Sequence, residues 1–148
     1  MWNRDINETI SYNALKPNGK LICEFGAYGN ISIIENGFSS ALQKSGVQYM
    51  SKFNFPTVND FAYLLIKNGF MVDKIYDYDR PTPLKDGDKG LYKWAIQFFQ
   101  SELEKLPLEQ QNRVLDTMES ITKNKIWNGT CWVADYKRLR VIATKQAI

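Results

Sequence analysis

A tight turn followed at once by an apolar strand constrains this chain more than any other feature. Lys16-Pro17-Asn18-Gly19-Lys20-Leu21-Ile22-Cys23-Glu24-Phe25-Gly26 reads as a helix end, a turn and a nearly continuous apolar strand broken by Glu24. Proline pre-sets the turn, and Asn and Gly tolerate the left-handed backbone that closes it. Apolar runs of this kind suit strands covered on both faces. The expectation is therefore an α/β domain with helices on both faces of a sheet. Only nineteen residues precede Lys20, which leaves room for little before this strand.

The bulk properties narrow the classes. A length of 148 residues suits one domain, 1–148, with a core of its own. Hydrophobic content of 44% and aromatic content of 14% exclude a disordered chain. No apolar run approaches the roughly 20 residues that span a bilayer. The start, Met1-Trp2-Asn3-Arg4-Asp5, lacks an apolar signal core, which points to the cytoplasm and away from a membrane partner. Histidine is absent, which removes His-dependent triads and most transition-metal chemistry. Cys23 and Cys131 fall in expected strands and read as reduced, packed thiols, so no metal site is expected. The net charge is +3, and the densest basic run is Lys137-Arg138-Leu139-Arg140. Those residues read better as strand side chains lining a cleft or paired with acids than as a nucleic-acid face.

Periodicity and punctuation give the order α-β-α-α-β-α-α-β, an α/β layered pattern. A short helix over Asp5 to Ala14 precedes the turn. After the strand Leu21 to Phe25, Asn30 is placed to cap a helix from Ile31 to Ser45, closed by Gly46. Thr57 caps a helix with Phe61, Leu64 and Leu65 as its apolar stripe and Gly69 as its stop. A strand runs from Phe70 to Tyr78, and Arg80-Pro81-Thr82-Pro83-Leu84 is rigid and extended. Gly90 to Lys105 is a helix with Leu91, Trp94, Ala95, Phe98 and Phe99 inward. Pro107 takes the first position of a second helix to about Trp127, carrying Val114, Leu115, Met118 and Ile121. Asn128-Gly129 is a turn, and Thr130 to Lys145 is a long strand or a bent pair.

A few residues invite a chemical reading. Glu24 is a carboxylate in an apolar strand, costly unless paired; an ion pair, a cleft role or simple exposure would each account for it. Gly26, Tyr28, Gly29 and Asn30 lie at the strand's C-terminal end, where ligands gather in open α/β sheets. The same residues also suit a plain tight turn. Arg80, beside Thr82, is placed either to clamp a substrate carboxylate or to form a surface ion pair. Trp94, Phe98 and Phe99 at helical spacing are core residues or ligand contacts. Tyr136 and Arg140 share one face of a regular strand. Asp86-Gly87-Asp88 has only a fragment of a calcium loop and reads as solvated. No residue is assigned as catalytic.

Several of these segments, taken in order, resemble the class I S-adenosylmethionine-dependent methyltransferases. Trp2-Asn3-Arg4-Asp5 is similar to the W-x-x-D segment after the family's fourth strand. Leu15 to Asn30 resembles the "LKPGG" turn, the fifth strand and its Gly-rich exit. Phe70 to Leu84 resembles the sixth strand and the segment after it. The helices from Gly90 to Trp127 resemble a cap at the active-site mouth. Trp132-Val133-Ala134-Asp135-Tyr136 and Leu139-Arg140-Val141 resemble the approach to the seventh strand and that strand. The resemblance implies a partial Rossmann-like sheet in the order five, seven, six, with the last strand antiparallel and a helical cap at about 90–127. It brings Arg138 or Arg140 near Glu24. It makes Tyr28, Asn30, Arg80, Trp94, Tyr136 and Arg140 substrate-side residues, with Gly26 bordering the cleft. The family's first Gly-rich turn, the acidic end of its second strand and its fourth strand have no counterpart here. The chain therefore resembles the C-terminal half of such an enzyme. S-adenosylmethionine is the cofactor of the parent family, and none is expected to bind this chain alone.

Three readings of function are open: a methyltransferase-related domain that does not act alone, one chain of a split enzyme with a separate N-terminal half, or a non-enzymatic interaction module. The fifth strand, without its usual neighbour, would expose an apolar edge. A homodimer through Leu21–Phe25, burying the first helix as well, would cover it.

Overall fold

The computed structural model describes residues 14–147. The Trp2-Asn3-Arg4-Asp5 segment and all but the last residue of the helix expected over Asp5 to Ala14 lie outside them. In chain order the elements are β1 (Lys20–Gly26), α1 (Ser32–Lys44), α2 (Val58–Lys67) and β2 (Phe70–Pro83). A 3-10 turn (Gly87–Lys89), α3 (Gly90–Phe98), α4 (Gln100–Leu103), α5 (Leu108–Ile126) and β3 (Val133–Lys145) complete the chain. The three strands form one sheet in the order β1-β3-β2. β3 runs antiparallel to β1, with Lys20 opposite Thr144 and Gly26 opposite Arg138. Backbone bonds from Gln146 to Gly69 and from Leu84 to Trp132 show β3 antiparallel to β2 as well. The fold is α/β with a small antiparallel sheet, and the last strand lies between the first two.

The chain divides into two compact units. One comprises Met1–Asn30, Lys52–Arg80 and Lys137–Ile148; the other comprises Ile31–Ser51 and Pro81–Tyr136. In the first unit, the turn before β1 forms as expected. Asn18 takes a left-handed φ of 63°, and Gly19 N–H donates to Lys16 O at 2.8 Å. Burial along β1 then alternates, with Leu21, Cys23 and Phe25 turned toward the core and Lys20, Ile22 and Glu24 outward. Ile22 is 60% exposed, so the expectation that both faces of this strand are covered is corrected among the described residues. Side chains alternate along a strand, so an apolar run does not by itself mean two covered faces.

The inner face packs Leu139, Val141 and Ala143 of β3 and Phe70 of β2 against Phe61 and Leu65 of α2. Phe25 meets Phe61 edge to face at 4.8 Å. α2 is held as its sequence suggests: Asp60 N–H donates to Thr57 Oγ1 at 3.1 Å, and Gly69 ends it at φ 87°. β2 extends to Pro83 rather than stopping at Tyr78. Its prolines are tolerated because β2 is an outer strand of the sheet among the described residues.

In the second unit α1 lies against α5. Phe38 stacks on Phe99 at 4.0 Å, and Tyr49 closes edge-on at 5.4 Å from Phe38. The helix expected over Gly90 to Lys105 breaks at Phe99, where φ is −111°, and resumes as α4. Phe99 is fully buried on Phe38, whereas Phe98 is exposed, which corrects the inward reading of Phe98. Pro107 stands just outside α5 as its N-cap. Val114, Leu115 and Met118 are buried on α5 as the pattern requires. A Trp127–Trp132 bridge encloses the Asn128-Gly129 turn, where Asn128 Oδ1 accepts from Thr130 and Cys131 N–H at 2.9 and 2.8 Å. Among the described residues no helix is long and apolar enough to cross a membrane.

Candidate functional site

The strand exit is built by backbone anchoring. Ala27 N–H donates to Lys137 O and Tyr28 N–H to Pro56 O, both at 2.9 Å. Gly29 takes φ 91°, a conformation that favours glycine. Asn30 does not cap α1. Its side chain is buried, and its Oδ1 accepts from Lys137 N–H at 2.7 Å, fastening the loop to β3. Tyr28 is the one large side chain this loop turns outward, 68% exposed on a pinned backbone. A glycine that cradles a cofactor leaves its side-chain space for the ligand. At Gly26 that space holds this chain's own Phe55 ring, 2.6 Å from where a Cβ would stand, with the Asn30 amide at 3.0 Å. Gly26 is thus needed for internal packing.

A charged cluster lies on the outward face of the first unit. Glu24 stands opposite Arg140, and Arg140 Nη1 lies 3.5 Å from Glu24 Oε2. Tyr78 donates its hydroxyl to Glu24 Oε1. That hydrogen bond, then the charges of Arg80, Arg140 and Arg138, hold the Glu24 carboxyl below its ordinary value despite some desolvation. The same bond pushes the Tyr78 phenol up. The expected pairing of Glu24 with an arginine of the last strand is therefore present. Sequence reasoning misses Tyr78, because ending the strand at that residue leaves its side chain without a direction.

Two further expected residues meet in the second unit. Trp94 Nε1 donates to Tyr136 Oη at 2.9 Å, and the indole stacks on Phe98 at 4.5 Å. Beside Tyr136, Asp135 does what is expected of Asn30. Its Oδ2 accepts from Ile33 N–H at 2.7 Å in the first turn of α1, and its backbone O accepts from Ile31 N–H at 2.9 Å. Ile31 is held there at φ 53°, unusual for a β-branched residue. Burial pushes the Asp135 carboxyl up against the opposing pull of these hydrogen bonds. Its Oδ1 is buried with no hydrogen-bond partner among the described residues. The one signal for Asp135 is a carboxylate between Ala134 and Tyr136 in an apolar strand.

The second unit also carries an open groove of about 330 Å³ lined by Asp88, Asp116, Glu119, Lys123, Trp127 and Trp132, together with Ser120. Burial, then Asp116 and Asp88, raise the Glu119 carboxyl. Among the described residues no group of three or more Cys, Asp or Glu side chains is placed to hold a metal.

Of the expected site residues, then, the first unit holds Gly26, Tyr28, Asn30, Arg80 and Arg140, and the second holds Trp94 and Tyr136. Arg80 and Arg140 both act on Glu24. Trp94 and Tyr136 bond to each other.

No protein-family model matches the chain. It is 25% identical over 154 aligned residues to an uncharacterized methyltransferase of Schizosaccharomyces pombe, covering 97% of this chain and 56% of that protein. The chain thus spans little more than half the length of this curated relative. In fold it is similar to a crystal structure from Bacillus halodurans named provisionally as a methyltransferase. The TM-score is 0.50 at 10% identity, over 95% of this chain and 62% of that one. Sequence likeness and fold likeness agree: the chain is similar in sequence to a protein named a methyltransferase and similar in fold to another.

Proposed function

We propose that these residues form the substrate-side portion of an S-adenosylmethionine-dependent methyltransferase, and that the chain as given does not transfer a methyl group alone. In this reading β1, β3 and β2 correspond to the family's fifth, seventh and sixth strands. What carries it is the sheet order: the last strand inserts between two earlier ones and opposes both. S-adenosylmethionine supplies a methyl group on a sulfonium. The protein's task is then largely to position an acceptor against it. Tyr28 and Asn30 on their anchored loop, Arg80 and Arg140, and the Trp94–Tyr136 pair are the groups we assign to the acceptor side. The filled space beside Gly26 supports placing the cofactor contacts elsewhere, in sequence or a chain beyond these residues.

A calorimetric titration of the purified chain with S-adenosylmethionine, and with S-adenosylhomocysteine as a check, tests this. The expected result is no binding at millimolar cofactor. Micromolar binding would overturn the reading and require a cofactor site within these residues.

A further inference from the structure

The two outer strands of the sheet are treated differently by the sequence. β2 carries Asp73, Lys74, Asp77, Asp79 and Arg80 and then Pro81 and Pro83, the features that keep an outer strand from pairing with another chain. β1 has no proline, and its outward-facing residues are only Lys20, Ile22 and Glu24. The backbone phase of β1 is also fixed. Gly19 O accepts from Lys145 N–H and Ala27 N–H donates to Lys137 O, so the odd-numbered residues direct their amide groups at β3. The amide groups of Lys20, Ile22 and Glu24 therefore face the other edge, which pairs with no strand among the described residues.

We infer that β1 pairs with β1 of a second copy of this chain, antiparallel about a two-fold axis through Ile22. A two-fold axis makes adjoining strands antiparallel and requires the edge to complement itself. Lys20-Leu21-Ile22-Cys23-Glu24 does so in one register. Centred on Ile22, it sets Lys20 opposite Glu24 of the second copy twice over, Ile22 opposite Ile22, and Leu21 opposite Cys23. The outward amide phase makes the Ile22 pair and both Lys20–Glu24 pairs hydrogen-bonded ones. Shifting the axis to Glu24 or to Lys20 instead sets like charges face to face, which is unfavourable. The half-exposed Ile22 is then covered by its own copy. The result is a six-stranded sheet whose outer strands are both β2, the guarded ones. This pairing is a property of the chain as given; in the substrate-side reading, a separate half supplying the neighbouring strand would compete for the same edge.

The test is a charge-swap cycle read by sedimentation equilibrium. Lys20→Glu and Glu24→Lys should each weaken the dimer by about tenfold, since each turns two cross-copy attractions into repulsions. The double variant should recover the original affinity. Within one chain Lys20 pairs with Asp73 at 3.3 Å and Glu24 with Arg140 at 3.5 Å. The double variant restores neither, so recovery reports the cross-copy pairs alone. Ile22→Pro should give a folded monomer, because the lost N–H faces the open edge rather than β3. Ile22→Cys, with Cys23 and Cys131 changed to alanine, should form an interchain disulfide. Hydrogen-bonded antiparallel partners have Cα atoms about 5.5 Å apart, inside the roughly 4.4–6.8 Å a disulfide spans. A wild-type monomer at micromolar concentration, or a double variant no tighter than the singles, would overturn the inference.

Discussion

Gly37 offers the sharpest test of the packing. It lies within α1, and a Cβ placed on it would stand 2.5 Å from Thr122 Cγ2 of α5 and 3.6 Å from Met118 Cγ. Thr122 cannot easily retreat. It is 1% exposed, and its hydroxyl donates to Met118 O at 2.9 Å. Rotating the side chain would give up that bond, worth about 0.5–1.5 kcal/mol. Glycine inside a helix costs about 0.8–1.0 kcal/mol relative to alanine. On propensity alone, Gly37→Ala would stabilise by that much. Overpacking a filled interface costs about 1–3 kcal/mol, so the net expectation is a loss of about 1 kcal/mol, from taking about 2 and returning about 1. Thr122→Ser removes the obstructing methyl and keeps the hydroxyl. In that background Gly37→Ala should change sign and stabilise by roughly 0.5–1 kcal/mol. Urea unfolding followed by circular dichroism of the four proteins measures the cycle, and the melting temperature should follow by about 2–4 °C per kcal/mol. A Gly37→Ala variant more stable than the wild type, or one with the same effect in both backgrounds, would refute the reasoning.

Other expectations are simpler. Thr57→Ala removes the acceptor of Asp60 N–H and should cost about 1 kcal/mol, with Thr57→Asp nearly neutral, by the same unfolding assay. Tyr78→Phe should raise the Glu24 carboxyl toward its ordinary value, because the Tyr78 hydrogen bond is the largest cause of its depression. Carboxyl NMR titration reads this directly. Glu24 is depressed in the folded protein, so its stabilisation is present above the unfolded-state value and lost as pH falls through the folded one. Tyr78→Phe should shrink that acid loss. Asp135 has the opposite sign. Its carboxyl is raised on folding, so its contribution is fullest below the unfolded value and is lost as pH rises through the folded value. Asp135→Asn should therefore gain on the wild type as the pH is taken from acid toward neutral. A constant stability difference across that range would remove burial as the cause.

What the sequence displayed were the features decided by neighbours in the chain. Pro17-Asn18-Gly19 makes its turn, Thr57 caps α2 and Asn128 closes the Trp127–Trp132 turn, each through groups a few residues away. What it concealed were features decided across the chain. The start of α1 is held by Asp135, which lies 102 residues from Ile33. No local signal marks that residue as a cap, and Asn30 has the better local credentials. The break at Phe99 likewise coincides with its stack on Phe38, a contact that a helical repeat counted along Gly90 to Lys105 cannot register. Glu24 falls between these cases. Its need for a cation was visible from its strand. Identifying that cation as Arg140 required the register of β3.

The same distinction ranks the residues assigned to the acceptor side. A hydrogen bond already made within the fold must be given up before the same atom can serve a ligand, at about 0.5–1.5 kcal/mol for a neutral pair and more for a charged one. Asn30 has committed its carbonyl oxygen to Lys137 N–H, and Trp94 its indole N–H to Tyr136. Their contribution is to hold a loop and an aromatic wall in place. Arg140 has a carboxylate beside it at 3.5 Å, yet guanidinium offers five donors, so part of its fork remains for a second anion. Tyr28 differs from all of these. Its backbone is fixed by Pro56 and bracketed by the Ala27–Lys137 bond, while its ring stands outward. A rigid main chain bearing an aromatic side chain that makes no hydrogen bond among the described residues loses little entropy on contact. On that ground Tyr28 is the first residue at which a methyl acceptor should be sought.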